Sequence, residues 1–140
     1  MVVTPKEQFV LRLKKAGYSA TKPRLAVFFA LQDREPQTMH DIVARLSQKV
    51  DRATVYRSVT LLEKLSIAQR LNIGWKYKIE LAGDFHDHHH HLTCTNCGKL
   101  LPIPENQKIE NYIAQLAAGQ GFTISAHQLE IQGVCQDCQS

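Results

Sequence analysis

No apolar run in this chain approaches the length needed to span a membrane. Its opening, MVVTPKEQFVLRLKK, spaces apolar residues helically between charges and does not gather them into a signal-peptide block. A cytoplasmic protein with no membrane partner is expected. Internal repeats are missing, and so is any low-complexity tract beyond the run His88, His89, His90, His91. The metalloprotease pattern H-E-x-x-H is absent, and His86-Asp87-His88 lacks the glutamate of a deaminase-type H-x-E with a C-x-x-C partner. Both absences count against an enzyme, a zinc-dependent hydrolase in particular, and no small-molecule substrate beyond metal ions is expected. Basic residues are scarce at the back: residues 81–140 hold two Lys/Arg against six Asp/Glu, whereas residues 1–80 hold fifteen against seven. A basic excess confined to the front suggests a polyanionic partner there, most often nucleic acid, although a solvated basic surface gives the same count. A metal-storage protein has no need of such a half.

The 140 residues, 44% hydrophobic, suffice for one ordinary domain or two small ones, each marginal alone. Helical spacing runs from Pro5 to Ala16, with Phe9, Leu13 and Ala16 on one stripe, and stops at Gly17. Thr21 is placed to cap a helix through Leu31, Thr38 begins a third helix with Ile42, Val43 and Leu46 on one face, and Asp51 begins a fourth. In that fourth helix Val55, Val59, Leu62 and Leu65 recur at helical spacing while Arg52, Tyr56, Arg57 and Lys64 lie elsewhere. Two β-type runs, Ala68 to Asn72 and Trp75 to Leu81, joined at Ile73-Gly74, read as a hairpin. Helices followed by a hairpin make a winged helix over residues 1–81. Ala82 to Asp87 reads as a hinge, and a second unit over residues 88–140 follows. There we expect strands through His88 to Cys94 and near Leu100 to Ile103, a helix from about Glu105 to Ala118, and a last strand from Phe122 to Val134. The fold class is α+β.

A polar-faced helix after a tight turn suits the major groove, where an arginine grips guanine O6 and N7 in two-point contact. Tyr56 and Arg57 are the candidates, with Arg52 and Thr54 beside them. Lys14, Lys15, Lys22 and Arg24 on the first two helices, and Lys76 and Lys78 on the wing, are placed to hold phosphates. Each alone reads equally as a solvated charge, and Tyr56 as a packing residue.

All four cysteines fall in two C-x-x-C pairs, Cys94/Cys97 and Cys135/Cys138. Two such knuckles supply the four tetrahedral ligands of structural zinc if the intervening helix returns the last strand beside the first. Four buried unmetallated thiols are the alternative. On a strand, His88 and His90 face one side while His89 and His91 face the other, so one strand can serve two metal sites.

At this point the chain resembles the Fur family of bacterial metal-dependent repressors along almost its whole length. The matching residues are Gly17 with Thr21-Lys22-Pro23-Arg24, Ala53-Thr54-Val55-Tyr56-Arg57, His88 to His91 with Leu92-Thr93-Cys94-Thr95-Asn96-Cys97-Gly98-Lys99, and Gly121-Phe122 with His127, Leu129, Glu130, Gly133, Cys135 and Cys138. The resemblance implies an N-terminal winged helix reading an inverted-repeat double-stranded operator, a C-terminal α/β domain forming a homodimer, and regulatory metal locking the DNA-binding arrangement. It implies structural Zn²⁺ on Cys94, Cys97, Cys135 and Cys138, and a site in the dimerisation domain on His88, His90, Glu110 and His127. A hinge sensor maps onto Glu80, His89 and His91. Two of its positions depart from the family: Pro36 or Gln37 stands where an N-terminal histidine is usual, and Pro102 where an acid follows the first knuckle. That leaves a three-ligand site with water, or one borrowing His40, Asp84, His86 or Asp87. Regulatory Zn²⁺ or Fe²⁺ both suit imidazoles with one carboxylate. His90, where iron-sensing members often carry aspartate, inclines the reading to zinc uptake, with an iron-sensing regulator as the alternative.

Overall fold

The computed structural model describes residues 2–32, 34–73, 75–85, 89–125 and 127–139, with the backbone alone at Asp84 and His89. Helices α1 (Pro5–Lys15), α2 (Lys22–Leu31), α3 (Met39–Leu46) and α4 (Arg52–Lys64) precede the hairpin strands β1 (Ala68–Ile73) and β2 (Lys76–Leu81) and a 3-10 turn, Gly83–Phe85. Then come β3 (His89–Cys94), β4 (Leu100–Pro104), α5 (Gln107–Gly119), β5 (Glu130–Gly133) and a 3-10 turn, Gln136–Cys138. Two compact units result, residues 1–86 and 87–140. Among the described residues no helix is long and apolar enough to cross a membrane.

The helix starts follow from short-range chemistry. Thr4, Thr21, Thr38 and Asp51 each cap a helix by accepting the N–H of the residue three positions on, Glu7, Arg24, Asp41 and Thr54 respectively. Thr4/Glu7 and Thr38/Asp41 are reciprocal capping boxes. The Thr38 hydroxyl and N–H hold the Asp41 carboxyl below its usual range, and those of Thr54 do the same for Asp51. Both caps therefore contribute stability present above the ordinary carboxylate range and lost as pH falls through the lowered values. At the other ends, Gly17 at φ +85° lets Tyr18 N–H reach Leu13 O at 2.9 Å, closing α1. Ser66, a non-glycine at φ +57°, makes the same closure after α4, with Ile67 N–H to Leu62 O at 2.8 Å.

The apolar faces of α1 to α4 meet in one core, with Phe9, Leu13, Val27, Phe28, Ile42, Val55 and Leu62 sealed from solvent. Phe28 sits at its centre, stacked on Phe9 at 4.4 Å and edge-on to Phe85 at 5.6 Å. Truncating such an aromatic costs about 3–5 kcal/mol. Phe28→Ala is therefore expected to lower the melting temperature of this unit by 10 °C or more, at about 4–8 °C per kcal/mol for a domain of this size; a thermal melt followed by circular dichroism checks it. Phe85 also corrects a sequence expectation. The segment 82–87 reads as a hinge, yet its first residues belong to the first unit. Phe85 is buried under the Arg12 guanidinium, 5.2 Å from the ring, and Ala82 N–H bonds Ile67 O at 2.8 Å. One aromatic in a polar stretch found the core edge through contacts with distant residues.

In the second unit the sheet order is β4-β3-β5, with β3 antiparallel to β4 and parallel to β5. The crossover helix α5 does return the chain beside β3. Of the expected strand from Phe122 to Val134, the described residues form a strand only at Glu130–Gly133, in register with His91 to Cys94. Phe122 instead donates its N–H to Ala117 O and lies exposed. Apolar burial here is thin: of the described residues in this unit only His90, His91, Thr93 and Cys94 are buried, and α5 buries none.

Candidate metal centres and nucleic-acid interface

Helix α4 buries Val55, Ser58, Val59 and Leu62 and turns Arg52, Tyr56, Arg57 and Thr60 to solvent. Its exposed first turns are internally braced. Arg57 Nη2 donates to Thr54 Oγ1 at 3.1 Å, and that hydroxyl donates to the Asp51 cap. The Arg52 guanidinium lies 5.3 Å over the Tyr56 ring. Tyr56 is 37% exposed, and its hydroxyl accepts from Arg52 Nη2 at 3.4 Å. Arg24, Thr54 and Arg57 line one cleft with Tyr18, Thr21 and Leu61. Arg24 is partly committed, donating to Ser19 O at 2.8 Å and lying over Tyr18. Lys14, Lys15, Lys22 and Lys76 are exposed and Lys78 is half-buried. Trp75 at the wing turn is 90% exposed, with Lys76 Nζ 5.0 Å from its ring.

The two cysteine knuckles come together: one sulfur from each of Cys94, Cys97, Cys135 and Cys138 falls in a group whose members all lie within 4.8 Å. The N–H groups of Cys97 and Cys135 point at Cys94 Sγ, at 3.5 and 3.3 Å, and bring its thiol down to about 6. Cys138 goes the other way. The Asn96 side chain pulls its thiol down, but Cys135, burial and the remaining sulfurs outweigh it and push it up to about 12. Hydrogen bonds to the neighbouring sulfurs hold the proton on this thiol, and a divalent cation at the centre would take the proton's place. The donor set fits zinc.

A second cluster is built around another residue of the same strand, His90. His90 Nε2 and His127 Nε2 each stand 2.7 Å from a different oxygen of Glu110, on α5, and the three donor atoms lie within 4.8 Å of one another. His90 is sealed, and its Nδ1 accepts Leu129 N–H at 3.2 Å. Three of the four residues expected here thus converge; the fourth, His88, lies outside the described residues. Two imidazoles and a carboxylate at this separation fit a first-row divalent ion.

The hinge set is reached only in part. Glu80 is buried in β2 and accepts from Gln69 Nε2 at 2.7 Å. His91 is buried on β3 with Nδ1 3.1 Å from Glu130 Oε1. The His89 and Asp84 side chains, with His86 and Asp87, lie outside the described residues, and His40 is exposed on α3. Gln37 is spoken for: buried, it donates to Ala30 O at 2.8 Å, accepts from Arg45 at 3.2 Å and bridges to Ile79 through the backbone. A residue that ties α2, α3 and β2 together in this way offers a metal neither imidazole nor carboxylate. Pro102 stands directly across β4 from His91 and offers none either. Sequence reading missed Glu130 beside His91, because only the sheet register brings residues 39 apart into contact.

A match to the Ferric uptake regulator family covers residues 15–132. The ferric uptake regulation protein of Campylobacter jejuni is 33% identical over 139 residues, 94% of this chain and 87% of that protein. Among solved structures, the Vibrio cholerae ferric uptake regulator, described with a rearrangement of its DNA-binding domains, has a TM-score of 0.69 and 29% identity over 88% of this chain and 96% of that one. The Pseudomonas aeruginosa ferric uptake regulator with manganese has a TM-score of 0.76 and 25% identity over 89% and 95%.

Proposed function

Because this chain belongs to the ferric uptake regulator family, we propose that it is a repressor that binds an inverted-repeat operator as a homodimer when its regulatory sites hold metal. The family is one of metal-responsive transcriptional regulators, so the class of activity is regulatory. The observation that carries the proposal is the His90–Glu110–His127 cluster, a nitrogen and oxygen donor set present in addition to a four-thiol set; the first has the chemistry for sensing and the second for structure. In this reading Cys94, Cys97, Cys135 and Cys138 hold structural Zn²⁺, His88, His90, Glu110 and His127 hold regulatory metal, and Glu80, His89 and His91 form a further sensor set. Arg57, Tyr56, Thr54 and Arg52 face base edges, while Lys15 and Arg24 face phosphates. A second copy of the chain would cover the apolar residues that the C-terminal unit leaves exposed, among them Leu92, Leu101, Tyr112, Leu116 and Ile131.

The regulatory metal we infer is zinc, since a set of three histidines and one glutamate closes tetrahedrally without further oxygen ligands. The curated relatives, named for ferric uptake, favour iron as the second reading. One experiment separates them. The purified protein is stripped of exchangeable metal with a mild chelator, then titrated anaerobically with Zn²⁺ or Fe²⁺ while operator-type DNA binding is followed. The sole tryptophan, Trp75, exposed on the wing, supplies an intrinsic fluorescence signal for DNA approach. Restoration by zinc at far lower free concentration than iron is expected. Restoration by iron within its own weaker range selects the second reading, and DNA binding indifferent to both metals sinks the regulatory proposal.

A further inference from the structure

His91 occupies the middle strand of its sheet and has a cross-strand neighbour on each side. On β4 that neighbour is Pro102, with no donor or acceptor in its side chain; on β5 it is Glu130. Neighbours in register share a face, so the Glu130 side chain rises beside the His91 ring. Its Oε1 reaches Nδ1 at 3.1 Å, with the histidine side chain 2% exposed and the glutamate 20%. The backbone fixes the same pair, since His91 N–H bonds Leu129 O at 3.3 Å.

We propose that Glu130 is the positioning carboxylate for His91, holding its imidazole in the tautomer that presents Nε2 as a metal ligand. An ionised carboxylate only accepts hydrogen bonds, so the proton of a neutral ring must sit on Nδ1. Nε2 then keeps its lone pair and faces away from Glu130. Carboxylate–histidine–metal relays of this kind orient the ring and raise its basicity. Pro102 on β4 leaves β5 as the only one of the two neighbouring strands that sets a carboxylate beside His91 in register. The inference rests on the assignment of His91 to the sensor set.

The test uses the full chain with its structural zinc retained, titrated with Co²⁺ as the probe. Wild type, Glu130→Gln, Glu130→Ala and His91→Ala are compared, each also in a Glu110→Ala background that removes the cluster on the other face. Removal of such a positioning partner costs about 10–100-fold in metal affinity, and that loss is expected for Glu130→Ala. The cobalt d–d bands should keep their shape, because no ligand has left. Glu130→Gln, which keeps an oxygen to accept from Nδ1, should stay close to wild type. Wild-type affinity in Glu130→Ala overturns the proposal, as does a changed band shape in Glu130→Gln, which would make Glu130 a ligand itself. Should His91→Ala also bind Co²⁺ as wild type does, the ligand assignment beneath is wrong and the inference falls with it.

Discussion

Cys135→Ser is expected to unfold the C-terminal unit and leave the chain monomeric, while the helical N-terminal unit stays folded. Serine offers a neutral oxygen where zinc requires a thiolate, so the tetrahedral set opens. The unit has little else to fall back on, because its described buried residues are two histidines, a threonine and Cys94 itself, and its helix buries nothing. Structural zinc contributes about 10–16 kcal/mol in small metal-dependent domains, comparable to or larger than the roughly 5–15 kcal/mol net stability of a typical domain. Zinc content per chain, light scattering and amide exchange on residues 89–139 read the result. A zinc-free dimer with protected amides in β3 would contradict it.

Arg57→Ala is expected to weaken operator binding by about 10–100-fold, or 1–3 kcal/mol, and to relax preference at one base position. The side chain is exposed yet braced through Thr54 to the Asp51 cap, so little conformational freedom remains to be lost on binding. Lys15→Ala should behave differently, weakening all sequences alike and reducing the salt slope by about one. Gel-shift titrations on operator and scrambled duplexes at several salt concentrations separate the two. Identical effects on both duplexes for Arg57→Ala would remove it from base recognition.

The contrast between these residues and Glu130 shows what kind of information a sequence holds openly. Thr4, Thr21, Thr38 and Asp51 act on N–H groups three residues away, so their roles are written within a single turn. The knuckles are similar, since each C-x-x-C fixes its own sulfurs and α5 needed only to bring them together. Phe85, Gln37 and Glu130 were not legible because their partners lie far along the chain. Phe85 meets a core built by α1 and α2, Gln37 spends its amide on Ala30 and Arg45, and Glu130 gains meaning only from the register of β5 on β3. The length of β5 was misjudged for the same reason, as local β-type composition cannot say which residues find a ladder partner.

Adjacent residues His90 and His91 address different chemical neighbourhoods because the pleat sends them to opposite faces of β3. The count of residues between the histidine run and Cys94 therefore has a parity. Deleting or inserting one residue there, with the knuckle anchored, would hand each imidazole to the wrong face and dismantle both ligand sets at once. Change in this stretch is tolerable only in pairs, and a gap of odd length in a relative would mark a protein that has abandoned both sets.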